Sequence, residues 1–209
     1  LLTLRILITA IQWKKQSGSL KTKSMIAVPN FIRPEEYLDI ERQSSIRHEY
    51  RHGLVYAMAG GTDDRDRIAF NLLKVIDNHL GDSSECRFHS GNVKVNYQSE
   101  FYYYPDAFVT CDPRDRDDRY IKRHPKLIVE VLSPSTQDFE SDDKFEDYKK
   151  TELLEEYVLI SQDCQRVECR RRTATNTWET VIYEGCDRVL LKSIDLEFAI
   201  AELYRGLDR

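Results

Sequence analysis

An α/β fold of the α+β, mixed-sheet kind is what this 209-residue chain predicts, and three observations carry the prediction. Ile68, Leu72, Ile76 and Leu80 recur every four residues and stop at Gly81, the signature of a helix with one apolar face. Short alternating or continuous apolar runs flank that segment on both sides, which is the strand signal. A second charged, helix-like stretch then separates two of the apolar runs, so strands and helices share one unit.

Taken in order, Pro34 followed by Glu35 and Glu36 supplies a helix's preferred first turn, predicting a short helix to about Gln43. His48 to Tyr50 and Leu54 to Met58 read as strands around a turn at Gly53. Thr62, with acids behind it, is the N-cap of the amphipathic helix ending at Gly81. Phe88 to Tyr97 and Phe101 to Cys111 read as two strands joined at Gln98-Ser99-Glu100, and Lys126 to Leu132 as a third. A charged helix from Asp138 to about Glu152, a strand at Tyr157 to Ile160 and a hairpin over Gln165 to Arg172 and Trp178 to Tyr183 follow. A last helix is expected over Leu196 to Tyr204.

At 24.6 kDa with 41% hydrophobic residues, the chain suits one well-packed domain. Residues 1–24 hold Arg5, Lys14, Lys15, Lys21 and Lys23 and no acid, and they are expected to form an extension outside a domain covering 25–209. The remainder carries 26 Lys and Arg against 36 Asp and Glu, an acidic body unlike that of a protein coating long nucleic acid. Cys86, Cys111, Cys164, Cys169 and Cys186 are odd in number and lack CxxC or His spacing, so reduced thiols and a cytoplasmic location are expected. The apolar run Leu1 to Trp13 is interrupted by Arg5 and too short to span a bilayer, and no membrane association is expected.

Two carboxylates stand out. Asp106 follows Pro105 and opens the apolar run Ala107-Phe108-Val109, while Glu130 interrupts Ile128-Val129 and Val131-Leu132. An ionised carboxylate in a buried strand is costly unless compensated, and a divalent cation shared by two of them is one compensation. Asp106 also reads as a strand-end turn residue. Asp112, Asp115, Asp117 and Asp118 look calcium-like but lack an EF-hand's central Gly and terminal Glu, and read as a solvated loop. Arg170-Arg171-Arg172 near a hairpin turn reads as surface.

The order helix, three strands, helix, strand, with Asp106 on the second strand and Glu130 on the third, resembles the PD-(D/E)xK nuclease superfamily, and within it the Uma-type family of restriction-endonuclease-like proteins. The resemblance spans roughly Phe31 to Leu207. It rests on Arg47-His48-Glu49-Tyr50 with Gly53, Ala57 to Thr62, Tyr103-Tyr104-Pro105-Asp106, Val129 to Thr136, Lys144 with Tyr148, and Glu156 to Leu159. It implies a restriction-endonuclease-like core with added terminal hairpins and helices, a DNA substrate, and Mg²⁺ or Mn²⁺ held by Asp106 and Glu130 with Glu49 as a further ligand. It also allows a homodimer. The superfamily lysine two residues after the acid is Leu132 here, and Lys144 is the candidate replacement; by charge pattern alone Lys144 equally suits a solvated helix face, and Glu49 a cross-strand ion pair. Relatives commonly show Pro-Asn-His where this chain has Asp63-Asp64-Arg65. The competing reading is a nuclease-fold descendant that binds nucleic acid or a protein without cutting.

Overall fold

The computed structural model describes residues 31–58, 60–133 and 142–207, and the segment from Phe31 onward is one compact unit. The expected boundary after residue 24 lies outside the described residues. Helix α1 (Pro34–Gln43) begins where Pro34 predicts, with the Glu36 carboxylate accepting from the Arg33 N–H at 3.0 Å. Strands β1 (His48–Arg51) and β2 (Leu54–Ala57) pair antiparallel around His52 and Gly53, both with positive φ, and a side chain at Gly53 would collide with Phe31. Helix α2 (Asp63–Leu80) starts at Thr62, whose hydroxyl accepts from the Arg65 N–H at 3.2 Å.

The two long strands expected between Phe88 and Cys111 are four: β3 (Arg87–Ser90), β4 (Lys94–Tyr97), β5 (Phe101–Tyr103) and β6 (Ala107–Thr110). The β4–β5 hairpin is as expected, but β3 and β6 pair with each other in a different sheet. The second run breaks at Tyr104-Pro105-Asp106 because Pro105 has no N–H to donate and the Tyr104 N–H is taken by the Glu49 carboxylate, 3.0 Å away. Asp106 therefore stands just ahead of β6, not within it.

Next come the short β7 (Ile121–Lys122), the long β8 (Pro125–Leu132), helix α3 (Lys144–Tyr148), β9 (Glu156–Ser161), β10 (Arg166–Arg172) and β11 (Trp178–Glu184). The start of the helix expected from Asp138 lies partly outside the described residues, and its end falls short of Glu152. Arg172 explains the early stop: its guanidinium donates to the carbonyls of Lys149 and Thr151 at 2.8 and 2.9 Å, satisfying the helix end from a distant strand.

The helix expected over Leu196 to Tyr204 is instead β13 (Leu196–Ala199), paired antiparallel with β12 (Arg188–Leu191) and followed by a short 3₁₀ turn. Leu196, Phe198 and Ile200 alternate inward, a period of two that outweighs the helical spacing of the later Leu203 and Tyr204.

The main sheet runs β11-β10-β9-β8-β6-β3, with β8 antiparallel to β6 and parallel to β9; the second sheet runs β2-β1-β5-β4-β7. Alternation along β8 sends Leu127, Val129 and Val131 to α2's Ile68, Leu72 and Ile76. Ile128 points the other way, into a cluster with Phe145 and Tyr148 of α3 and Phe101 and Tyr103 of β5. Burying each large apolar side chain contributes roughly 1.5–3 kcal/mol, so both faces of the main sheet are anchored.

Three further expectations change. Cys86 and Cys111 form a disulfide, because the β3–β6 register that pairs Arg87 with Thr110 brings the flanking cysteines opposite each other. The expectation of five reduced thiols fails there, and the cytoplasmic reading loses that support. Asp115 is buried, accepting from the Thr110 hydroxyl at 2.6 Å, the Arg123 and His124 amides and the His124 ring; these are donors, not a calcium site. Arg171 is buried against Glu156 and is not a surface residue. Among the described residues no helix is long and apolar enough to cross a membrane.

Candidate active site

Because β8 alternates, Glu130 projects to the α3 side with Ile128, in the middle of a buried strand, and is completely covered. Lys144 opens α3 and buries its ammonium there, 3.3 Å from Glu130 Oε1 and 3.0 Å from Glu49 Oε1. Glu49 arrives from β1 of the second sheet and also accepts the Tyr104 N–H, so one lysine ties the two sheets together. The Lys144 ammonium lies 5.2 Å from the centre of the Tyr103 ring, whose face favours a cation. The reading of Lys144 as a solvated helix residue is thereby excluded, since it is 3% exposed. Tyr148 forms the floor: burial, with the charges of Glu130 and Glu49 adding to it, drives its hydroxyl far above the ordinary phenol range and keeps it neutral.

Asp106 is held from two sides. The Val131 N–H donates to its Oδ2 at 2.7 Å, because β6 and β8 pair Ala107 with Val129 and so bring Asp106 alongside the Glu130–Val131 segment. Arg65, in the first turn of α2, grips it in a bidentate manner: Nε lies 3.0 Å from Oδ1 and Nη2 lies 2.8 Å from Oδ2. The same Nη2 is 3.8 Å from Glu130 Oε2. Thr62 fixes the root of α2, since its hydroxyl donates to Gln162 Oε1 at 2.8 Å just beyond β9, and the Gln162 N–H donates to the Leu132 carbonyl.

All four sequence-predicted residues, Asp106, Glu130, Lys144 and Glu49, thus share one continuous cluster. Sequence reasoning missed Arg65 as a member. The available signal was its place three residues after the N-cap, in the turn of α2 that meets the start of β6.

Asp106 and Glu130 converge on a single cation position, now marked by a guanidinium nitrogen, and both offer the hard oxygen donors that Mg²⁺ and Mn²⁺ accept alongside several waters. These two residues fit such an ion. Glu49 faces Lys144 instead, and among the described residues no group of three or more His, Cys, Asp or Glu side chains converges on one point.

Comparison with known proteins places the chain in a family and matches its fold. A family model described as "Putative restriction endonuclease", Uma2, matches residues 34–201. The chain belongs to the Uma2 family. Two relatives from Synechocystis sp., both named as uncharacterized, are slr1290 and sll1609. The first is 37% identical over 84% of this chain and 93% of its own length, the second 32% over 74% and 88%. A crystal structure from Anabaena variabilis, titled as a putative nuclease belonging to DUF820, superposes with a TM-score of 0.70 at 19% identity, covering 83% of this chain and 97% of that one. The restriction-endonuclease-like fold and family of this Uma2 member are therefore as the residue pattern implies.

Proposed function

We propose that this Uma2 protein is a divalent-metal-dependent endonuclease that hydrolyses phosphodiester bonds in DNA. The observation that carries the reading is the convergence of Asp106, just ahead of β6, and Glu130, on the neighbouring β8, on one cation position with the Lys144 ammonium against Glu130. Mg²⁺ or Mn²⁺ held by these two carboxylates supplies Lewis acidity and a more acidic water at neutral pH. The Val131 N–H fixes the orientation of Asp106. Glu49 positions Lys144, and the Lys144 ammonium orients the attacking water and offsets the negative charge that gathers on the phosphate.

A supercoiled-plasmid nicking assay with Mg²⁺ or Mn²⁺ tests the proposal. Wild type is expected to nick, EDTA to stop it, and Asp106→Asn to lose it. Nicking that survives chelation, or persists in Asp106→Asn, overturns it. A second reading, a nuclease-fold protein that binds without cutting, draws on the Arg65–Asp106 pair, which already neutralises one metal ligand. It predicts binding to DNA with no nicking under any metal.

A further inference from the structure

Arg65 does more than neutralise Asp106. Its Nη2 stands between the two carboxylates, 2.8 Å from Asp106 Oδ2 and 3.8 Å from Glu130 Oε2, so it occupies the point where their negative potentials overlap. We infer that Arg65 is the resident counter-cation of the site, and that a divalent ion binds by displacing its guanidinium. This rests on the metal reading above.

Charge balance supports the exchange. Among the described residues of the site, Glu49, Asp106 and Glu130 bring three negative charges, and Lys144 removes one. The two left over match one divalent ion, whereas the ion together with Arg65 would leave excess positive charge in a buried pocket, which is unfavourable. A guanidinium nitrogen and a metal ion also cannot share one position.

Of the two cations, Arg65 is the one able to leave. The Lys144 side chain is 4% exposed and clasped by two carboxylates from different sheets, while the Arg65 side chain is 17% exposed, at the solvent edge. Its stem runs past Gly61, where a β-carbon would lie 3.3 Å from Arg65 Cδ, so the glycine keeps clear the space the side chain crosses. Arg65 then acts as an internal competitor: the site's apparent affinity equals its intrinsic affinity scaled by the fraction of molecules in which Arg65 has swung out.

Calorimetric titration of Mn²⁺ into the full metal-free chain, comparing wild type, Arg65→Gln and Asp106→Asn, tests this without any cleavage readout. The expected result is binding at least about fivefold tighter in Arg65→Gln, the gain when Arg65 is out in roughly one molecule in five or fewer. Asp106→Asn should bind weakly or not at all. A smaller gain in Arg65→Gln, with binding still lost in Asp106→Asn, overturns the role of Arg65 and leaves the metal site standing. No binding in any of the three overturns both. Should Arg65→Gln fail to fold, the arginine Nε–H spectrum of wild type decides. The Arg65 signal is expected to shift and lose protection from exchange at saturating Mg²⁺ but not at equal ionic strength of NaCl; an unchanged signal overturns the inference.

Discussion

Glu130 and Glu156 lie on adjacent parallel strands, β8 and β9, and both are wholly buried, yet their surroundings differ in kind. Glu156 is closed by short bonds: Arg171 Nε at 2.8 Å on one oxygen, and the Ser193 N–H and hydroxyl, each at 3.0 Å, on the other. Arg171 is itself tied down by the Tyr183 hydroxyl. Glu130 is contacted by Lys144 at 3.3 Å and Arg65 at 3.8 Å, looser distances to two long cationic side chains. Equal burial therefore does not mean equal role. A carboxylate saturated by rigid donors is structural, while one balanced in part by the solvent-edge Arg65 is, on the exchange inferred above, open to a metal ion.

The strongest way to break this comparison is to unpair each glutamate. Glu156→Ala strands the Arg171 charge in the interior and is expected to lower unfolding free energy by about 3–5 kcal/mol. Glu130→Gln, which relieves carboxylate crowding beside Asp106, is expected to cost far less. Urea unfolding in EDTA measures both, and equal losses would erase the distinction between the two regions.

Lys144→Met addresses the Glu130 side. On the proposed function it removes a charge that acts on water and phosphate but does not hold the metal, so Mn²⁺ affinity should persist while nicking falls by at least ~10²-fold. Nicking at the wild-type rate would discard Lys144 as the replacement for the absent lysine at Leu132, leaving the carboxylates to act alone.

A smaller effect sharpens the pH side of the comparison. His89, stacked on Phe108 at 4.8 Å, is pushed down to about 4, chiefly by burial and then by Lys122. Its unfolded value is near 6.5, so between roughly 6.5 and 4 the unfolded chain binds the extra proton and stability declines as pH falls. Above 6.5 both states are neutral and His89 contributes no pH dependence. His89→Phe should flatten the urea midpoint across that window; a slope unchanged in the variant would assign the pH dependence to other groups.

Local patterns were enough for several elements. Pro34 and the two glutamates behind it started α1, Thr62 and Gly81 bracketed α2, and the apolar run around Glu130 marked β8, because each depends on neighbours within a few residues. The buried, charge-bearing position of Glu130 was also legible, since a carboxylate amid apolar strand residues demands compensation wherever it folds. Local spacing misjudged Leu196 to Tyr204, where two periods overlap and strand pairing with β12 chose between them.

What the chain could not announce on its own depended on distant partners. The Tyr104 amide was diverted to Glu49, 55 residues away, which ended β5 and released Asp106 from the strand. The Cys86–Cys111 disulfide needed the β3–β6 register, and Lys144 acquired its carboxylate partners only when β1 and β8 closed on it from separate sheets. Sequence by itself determined which groups carry charge and which segments seek burial, because those are properties of residues and their near neighbours. Tertiary structure alone decided which charges meet, because a buried ion takes the partner that the packing of other elements brings within reach.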